Sequence, residues 1–132
     1  MNKNSYIEGN MIEENKTSVV KLKTNVIAKI EIEGLHNWPD AQKVFPEVGF
    51  LSNVHRHKWF ITAKKPVYHD DRDVEFILFG RDIKQWLGNM YYNPESRTHE
   101  FGAKSCEMLA REIMQEFGCN YVSVFEDDEN GA

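Results

Sequence analysis

The sequence predicts a single α+β domain, an antiparallel sheet with two helices packed on one of its faces. Three patterns carry that prediction. Val26, Ala28, Ile30 and Ile32 alternate with Ile27, Lys29, Glu31 and Glu33, which is the period of a half-buried strand. A second alternation places His55, His57, Trp59, Ile61 and Ala63 on one side of a strand and Arg56, Lys58, Phe60 and Thr62 on the other. Cys106, Leu109, Ala110, Ile113, Met114 and Phe117 recur at the spacing of a helix with one buried stripe.

At 132 residues the chain has the size of one domain and is too short for two ordinary ones. An apolar fraction of 41% and a charged fraction of 28% exclude a disordered or collagen-like chain. A net charge of −5 argues against nucleic acid as a partner, because such domains gather a basic excess on one face. No apolar run reaches bilayer length, and Met1 to Ser5 lack the apolar segment of a signal peptide. No membrane partner and a cytoplasmic location are therefore expected. Cys106 and Cys119 flank one helix at a spacing that fits neither a disulfide nor a paired metal motif, which suits a reducing compartment.

In chain order, residues 1 to 23 are rich in Asn, Glu and Lys and read as a flexible extension, leaving 24 to 132 as the domain. The first strand begins at Thr24, and Gly34 ends or bends it just before His36. Pro39, Pro46 and Gly49 make residues 37 to 53 a loop with one short turn. The second strand, carrying the two histidines, ends near Pro66, and His69 to Asp73 form a solvated turn. Val74 to Phe79 is apolar enough for a third strand. A short helix through Ile83, Trp86 and Leu87 follows and closes at Gly88. Asn89 to Lys104 reads as an irregular connection. Ser105 caps the next helix, Gly118 stops it, and Tyr121 to Phe125 form a last strand whose face is shared by Val122, Val124 and Glu126.

His55 and His57 lie one pleat apart on one face, a spacing at which two neutral ring nitrogens can meet on one metal ion if a third ligand joins them. The alternative is a half-exposed histidine pair with no ligand. Glu126 ends an apolar strand face, where a carboxylate without a partner costs several kcal/mol. It either has a partner or has already reached solvent, since Asp127, Asp128 and Glu129 follow it.

Taken together, His36 after strand one, His55-Arg56-His57 opening strand two, Phe79 to Lys84, Lys104 to Ala110, and Val122-Ser123-Val124-Phe125-Glu126 resemble the tunnelling-fold family of 6-pyruvoyl-tetrahydropterin and 6-carboxy-tetrahydropterin synthases. That family carries a histidine after strand one, a His-x-His pair, an Asp-Phe-x-x-Leu-Lys segment, a Pro-Thr-x-Glu-Asn-Leu-Ala helix start and a strand ending Val-x-Val-x-Glu-Thr. The order agrees over residues 24 to 126. The resemblance implies a zinc ion on His36, His55 and His57 with an open fourth position. It also implies that Glu126 accepts from the paired N–H groups of a pterin or purine, and that Glu107 is the helix-start glutamate. For Glu107 a favourable charge in the first helical turn is an equal reading. Homo-oligomerisation, as trimers or hexamers, is implied as well.

The chain departs from the family in its proton-transfer groups. The cysteine before the histidine pair is absent from Gly49 to Asn53, and the Asp-His dyad between the helices is replaced by Asn89 to Glu95. His99, Tyr91 and Tyr92 are the remaining candidate bases. Two functions follow from these residues. One is a zinc-dependent lyase acting on a reduced pterin of the dihydroneopterin triphosphate type. The other is an inactive relative that binds a pterin or purine nucleotide without turnover.

Overall fold

The structure, a computed structural model, describes residues 22–132. Of the extension read over residues 1 to 23, only Leu22 and Lys23 fall within it. Five strands form one sheet: β1 (Thr24–His36), β2 (His55–Val67), β3 (Tyr92–Asn93), β4 (Thr98–Gly102) and β5 (Tyr121–Phe125). Their order is β3-β4-β1-β2-β5. β1 and β2 are antiparallel over their whole lengths, with Ala28 opposite Ala63, Ile30 opposite Ile61, Ile32 opposite Trp59, Gly34 opposite His57 and His36 opposite His55. The chain is thus α+β, but the expected antiparallel sheet is a mixed one, because β4 runs parallel to β1.

One face of the sheet holds the core. Ala28, Ile30, Trp59, Ile61, Ala63 and Val124 meet Phe79, Ile83 and Leu87 of α2 (Phe76–Tyr91) and Cys106, Leu109 and Ile113 of α3 (Cys106–Phe117) in a single cluster. The opposite face is wet, with Glu33 paired to Arg56 and Glu31 to Lys58 across the β1–β2 ladder. Both cysteines are buried free thiols.

α3 begins and ends where its sequence says. The Ser105 side chain accepts from the Met108 N–H, and Gly118 takes the left-handed conformation at φ 66° that closes the helix.

The third strand expected over Val74 to Phe79 is not formed. Glu75 instead caps a helix by accepting from the Leu78 N–H. Buried Phe79, Ile83 and Leu87 then recur every four residues, while Phe76, Ile77 and Leu78 stay more than half exposed. The apolar run that suggested a strand is therefore the outer side of a first helical turn. α2 also passes through Gly88 to Tyr91 instead of closing there.

The connection from Asn89 to Lys104, expected to be irregular, contains the β3–β4 hairpin. A register shift between Leu35 and His36 breaks the alternation of β4 against β1, so Thr98 and Phe101 are both buried. Within the loop from 37 to 53 a one-turn helix, α1 (Ala41–Val44), precedes a 3-10 segment over Pro46–Ser52.

Gly34 bends β1 without ending it. A methyl group there would overlap the Phe101 ring and stand 2.9 Å from the Trp59 indole nitrogen, so this position admits only glycine. Trp59, fully buried, donates its indole N–H to the Gly34 carbonyl at 3.0 Å. The two residues weld β1 to β2 immediately below the histidines.

The candidate metal centre

Beyond Trp59 the inward face of β1 and β2 continues as imidazoles. His36 and His55 face each other across the ladder, and His57 lies opposite Gly34. Ring centroids are 4.6 Å apart for His36 and His55, 4.8 Å for His55 and His57 and 5.3 Å for His36 and His57. The Trp59 ring supports His36 and His57 edge-on from below, at 4.6 and 5.8 Å.

Hydrogen bonds fix which nitrogen of two rings carries the proton. His36 Nδ1 lies 3.1 Å from the Lys104 carbonyl, and His55 Nδ1 lies 2.7 Å from the Asn53 carbonyl. A carbonyl only accepts, so both Nδ1 atoms are donors and both neutral rings turn an Nε2 lone pair inward. Among the described residues, the buried side-chain nitrogens and oxygens without a hydrogen-bond partner are the three Nε2 atoms of His36, His55 and His57. One donor atom from each histidine lies within 4.8 Å of the other two.

Leaving such atoms dry costs about 1–3 kcal/mol each, a large share of the ~5–15 kcal/mol that holds a domain together. Separate protons are a poor remedy, since they would crowd three like charges together. Burial holds His36 below its ordinary value of 6.5, with the Lys104 carbonyl bond opposing that shift. A single cation shared by three lone pairs removes all three penalties at once. The residues therefore fit a metal ion bound as a tripod of neutral imidazoles, with carbonyls of Lys104 and Asn53 orienting two of the ligands from behind.

Glu126 joins this cluster with its side chain half-buried. Its two oxygens lie 3.3 Å from His36 Nε2 and 3.8 Å from His57 Nε2. The reversal of the chain after β5 holds it there. The Glu126 N–H donates to the Asn130 carbonyl, Asp127 accepts from the Glu129 and Asn130 N–H groups, and Val124 exchanges backbone bonds with Ala132. Cys106, which opens the apolar stripe of α3, places its sulfur 4.0 Å from a Glu126 oxygen. Burial, together with the Glu126 charge, pushes the Cys106 thiol up to about 12, so it acts as a neutral donor.

A pocket of about 360 Å³ opens from the cluster, a size suited to a small heterocycle. It is lined by His36, His55 and Glu126, by Asn37, Trp38 and Leu51, and by the segment from Lys104 to Met108. Glu107, exposed in the first turn of α3, lines it too.

The remaining candidate bases stand elsewhere. His99 stacks on Phe101 and bonds through Nδ1 to the Glu33 carbonyl, with Tyr92 beside it. Phe101 and Trp59 thus separate it from His36. Tyr91 donates to Glu112, which Lys104 also engages, and burial with that bond holds its phenol far above the usual range. None of the three lines the pocket.

Trp38, Asn37 and the carbonyls of Lys104 and Asn53 escaped sequence reasoning, since backbone acceptors carry no residue-type signal. No helix among the described residues is long and apolar enough to cross a membrane. No protein-family model matches the chain, and no curated protein matches its sequence.

Proposed function

We propose that this protein is a zinc-dependent relative of the 6-pyruvoyl- and 6-carboxy-tetrahydropterin synthases, built on the tunnelling fold, and that its pocket takes a reduced pterin. The observation that carries the metal part is the trio of buried, partnerless Nε2 atoms on His36, His55 and His57. The ligand class rests on the order of motifs over residues 24 to 126 and on a pocket of fitting size that meets the histidines.

His36, His55 and His57 would hold the zinc, which, when bound, supplies a Lewis acid to a hydroxyl or carbonyl oxygen of the ligand. Trp38 and Leu51 offer apolar walls for a planar ring. Glu107 and Glu126 offer carboxylates to its paired N–H groups.

A second reading, binding without turnover, is favoured by one specific observation: His99, Tyr91 and Tyr92 do not line the pocket of the chain that holds the histidines. Assembly into trimers or hexamers is part of the proposal. The wet sheet face and the exposed Phe50, Phe76, Ile77 and Leu78 support it, and sedimentation as a monomer would count against it.

The experiment is incubation of the zinc-loaded protein with dihydroneopterin triphosphate, followed by ultraviolet absorbance, beside a thermal-shift series with pterins and guanine nucleotides. A spectral change with turnover establishes the enzyme, and a raised melting temperature without product establishes the binder. Neither response to any of these compounds overturns the ligand assignment.

A further inference from the structure

The resemblance assigns Glu126 to the heterocycle, yet its carboxylate sits among the imidazoles. We propose that Glu126 is the fourth protein ligand of the ion, making the site a three-histidine, one-carboxylate centre. This rests on the metal reading given above, and it moves Glu126 from the heterocycle to the ion.

The argument is one of hydrogen count and distance. In the neutral ring Nδ1 donates to the Lys104 carbonyl and leaves His36 Nε2 without a hydrogen; a protonated ring would carry one there, but the contact with Glu126 lacks hydrogen-bond geometry. The Glu126 oxygen 3.3 Å away has no hydrogen either, so the contact is no hydrogen bond, and two lone pairs face each other. Such a pair is repulsive unless a cation lies against both.

Bonds of about 2.0–2.1 Å in a tetrahedral shell set neighbouring donor atoms about 3.3–3.4 Å apart. The Glu126–His36 separation matches that edge, and the 3.8 Å to His57 lies somewhat above it. The carboxylate is also held in place, by the Asn130 carbonyl on its own backbone N–H and by the Cys106 sulfur beside one oxygen. A group positioned from behind at coordination distance is arranged as a ligand.

Glu107 is then the pocket carboxylate left for the paired donors of a heterocycle. A ligand that coordinates the ion has to share the centre with Glu126 or displace it.

The test uses cobalt(II) as a spectroscopic substitute in the full chain, with visible absorption, zinc affinity by chelator competition, and thiocyanate titration of the cobalt form. Glu126→Gln keeps size and shape, Glu126→Asp retracts the carboxylate, and Glu107→Gln is the control; circular dichroism checks the fold of each.

The proposal expects Glu126→Gln to change the cobalt spectrum, to weaken zinc by at least about tenfold, and to let thiocyanate bind at lower concentration. Glu126→Asp should fall between, and Glu107→Gln should match the wild type. An unchanged spectrum with affinity within about twofold in both Glu126 variants overturns the fourth-ligand assignment while the three-histidine site stands. A wild-type chain that binds no cobalt overturns the metal reading itself.

Discussion

One face of one strand pair contains both an apolar core and a cluster of half-buried imidazoles. At Ala28–Ala63 and Ile30–Ile61 the inward side chains lie beneath α2 and α3 and are apolar. Two and three inward pairs further along, at Gly34–His57 and His36–His55, the same face carries imidazoles whose Nε2 atoms have no hydrogen-bond partner. The alternation that builds the core also builds the site. What changes is the covering, helices at one end and an open pocket at the other. Trp59 marks the boundary, with its ring buried in the core and its edge beneath His36 and His57.

The contrast is broken most severely at that boundary. Trp59→Ala should cost about 3–5 kcal/mol in urea unfolding and also reduce metal uptake, because core and site lose the same support. Loss of stability with uptake intact would show the two ends to be independent.

Gly34→Ala should cost about 1–3 kcal/mol, since the new methyl group overlaps Phe101 and crowds Trp59. An unchanged urea midpoint would mean that the β1–β2–β4 junction is looser than described.

The pH response separates the ends further. Burial lowers His36 below 6.5 in the folded metal-free chain, so the unfolded chain binds the proton more readily. That contribution to stability is fully present above 6.5 and is lost as pH falls through the folded value. The urea midpoint of metal-free protein should accordingly drop on going from about pH 8 to about pH 5.5, and His36→Gln should flatten the drop. A variant that falls as steeply as the wild type contradicts the assignment to His36.

The wet face should respond least. Glu33→Gln breaks the exposed pair with Arg56 and should shift stability by no more than about 0.5 kcal/mol, which a urea midpoint can bound.

The same contrast explains what the sequence made legible. Strands β1, β2 and β5 and helix α3 were readable because their periods are unbroken and Ser105 and Gly118 punctuate α3. The pairing of His55 and His57 followed from counting faces along β2, while His36 joined them only through the resemblance in motif order. Helix α2 was misread in its first turn, where Phe76-Ile77-Leu78 imitates a strand although Glu75 supplies a cap. Strand β4 was hidden by a register shift that destroys alternation. Glu126 was singled out for ending an apolar face, but its partners, His36 and His57, became visible only once β2 and β5 were paired.

The central claim, that three inward lone pairs hold one ion, is tested most directly by counting metal. Elemental analysis of the purified full chain, dialysed against zinc and then against buffer, should give about one zinc per chain, and none in a folded His55→Ala, His57→Ala double variant. Native wild-type protein that stays metal-free through this procedure, or a double variant that retains its zinc, would contradict the account.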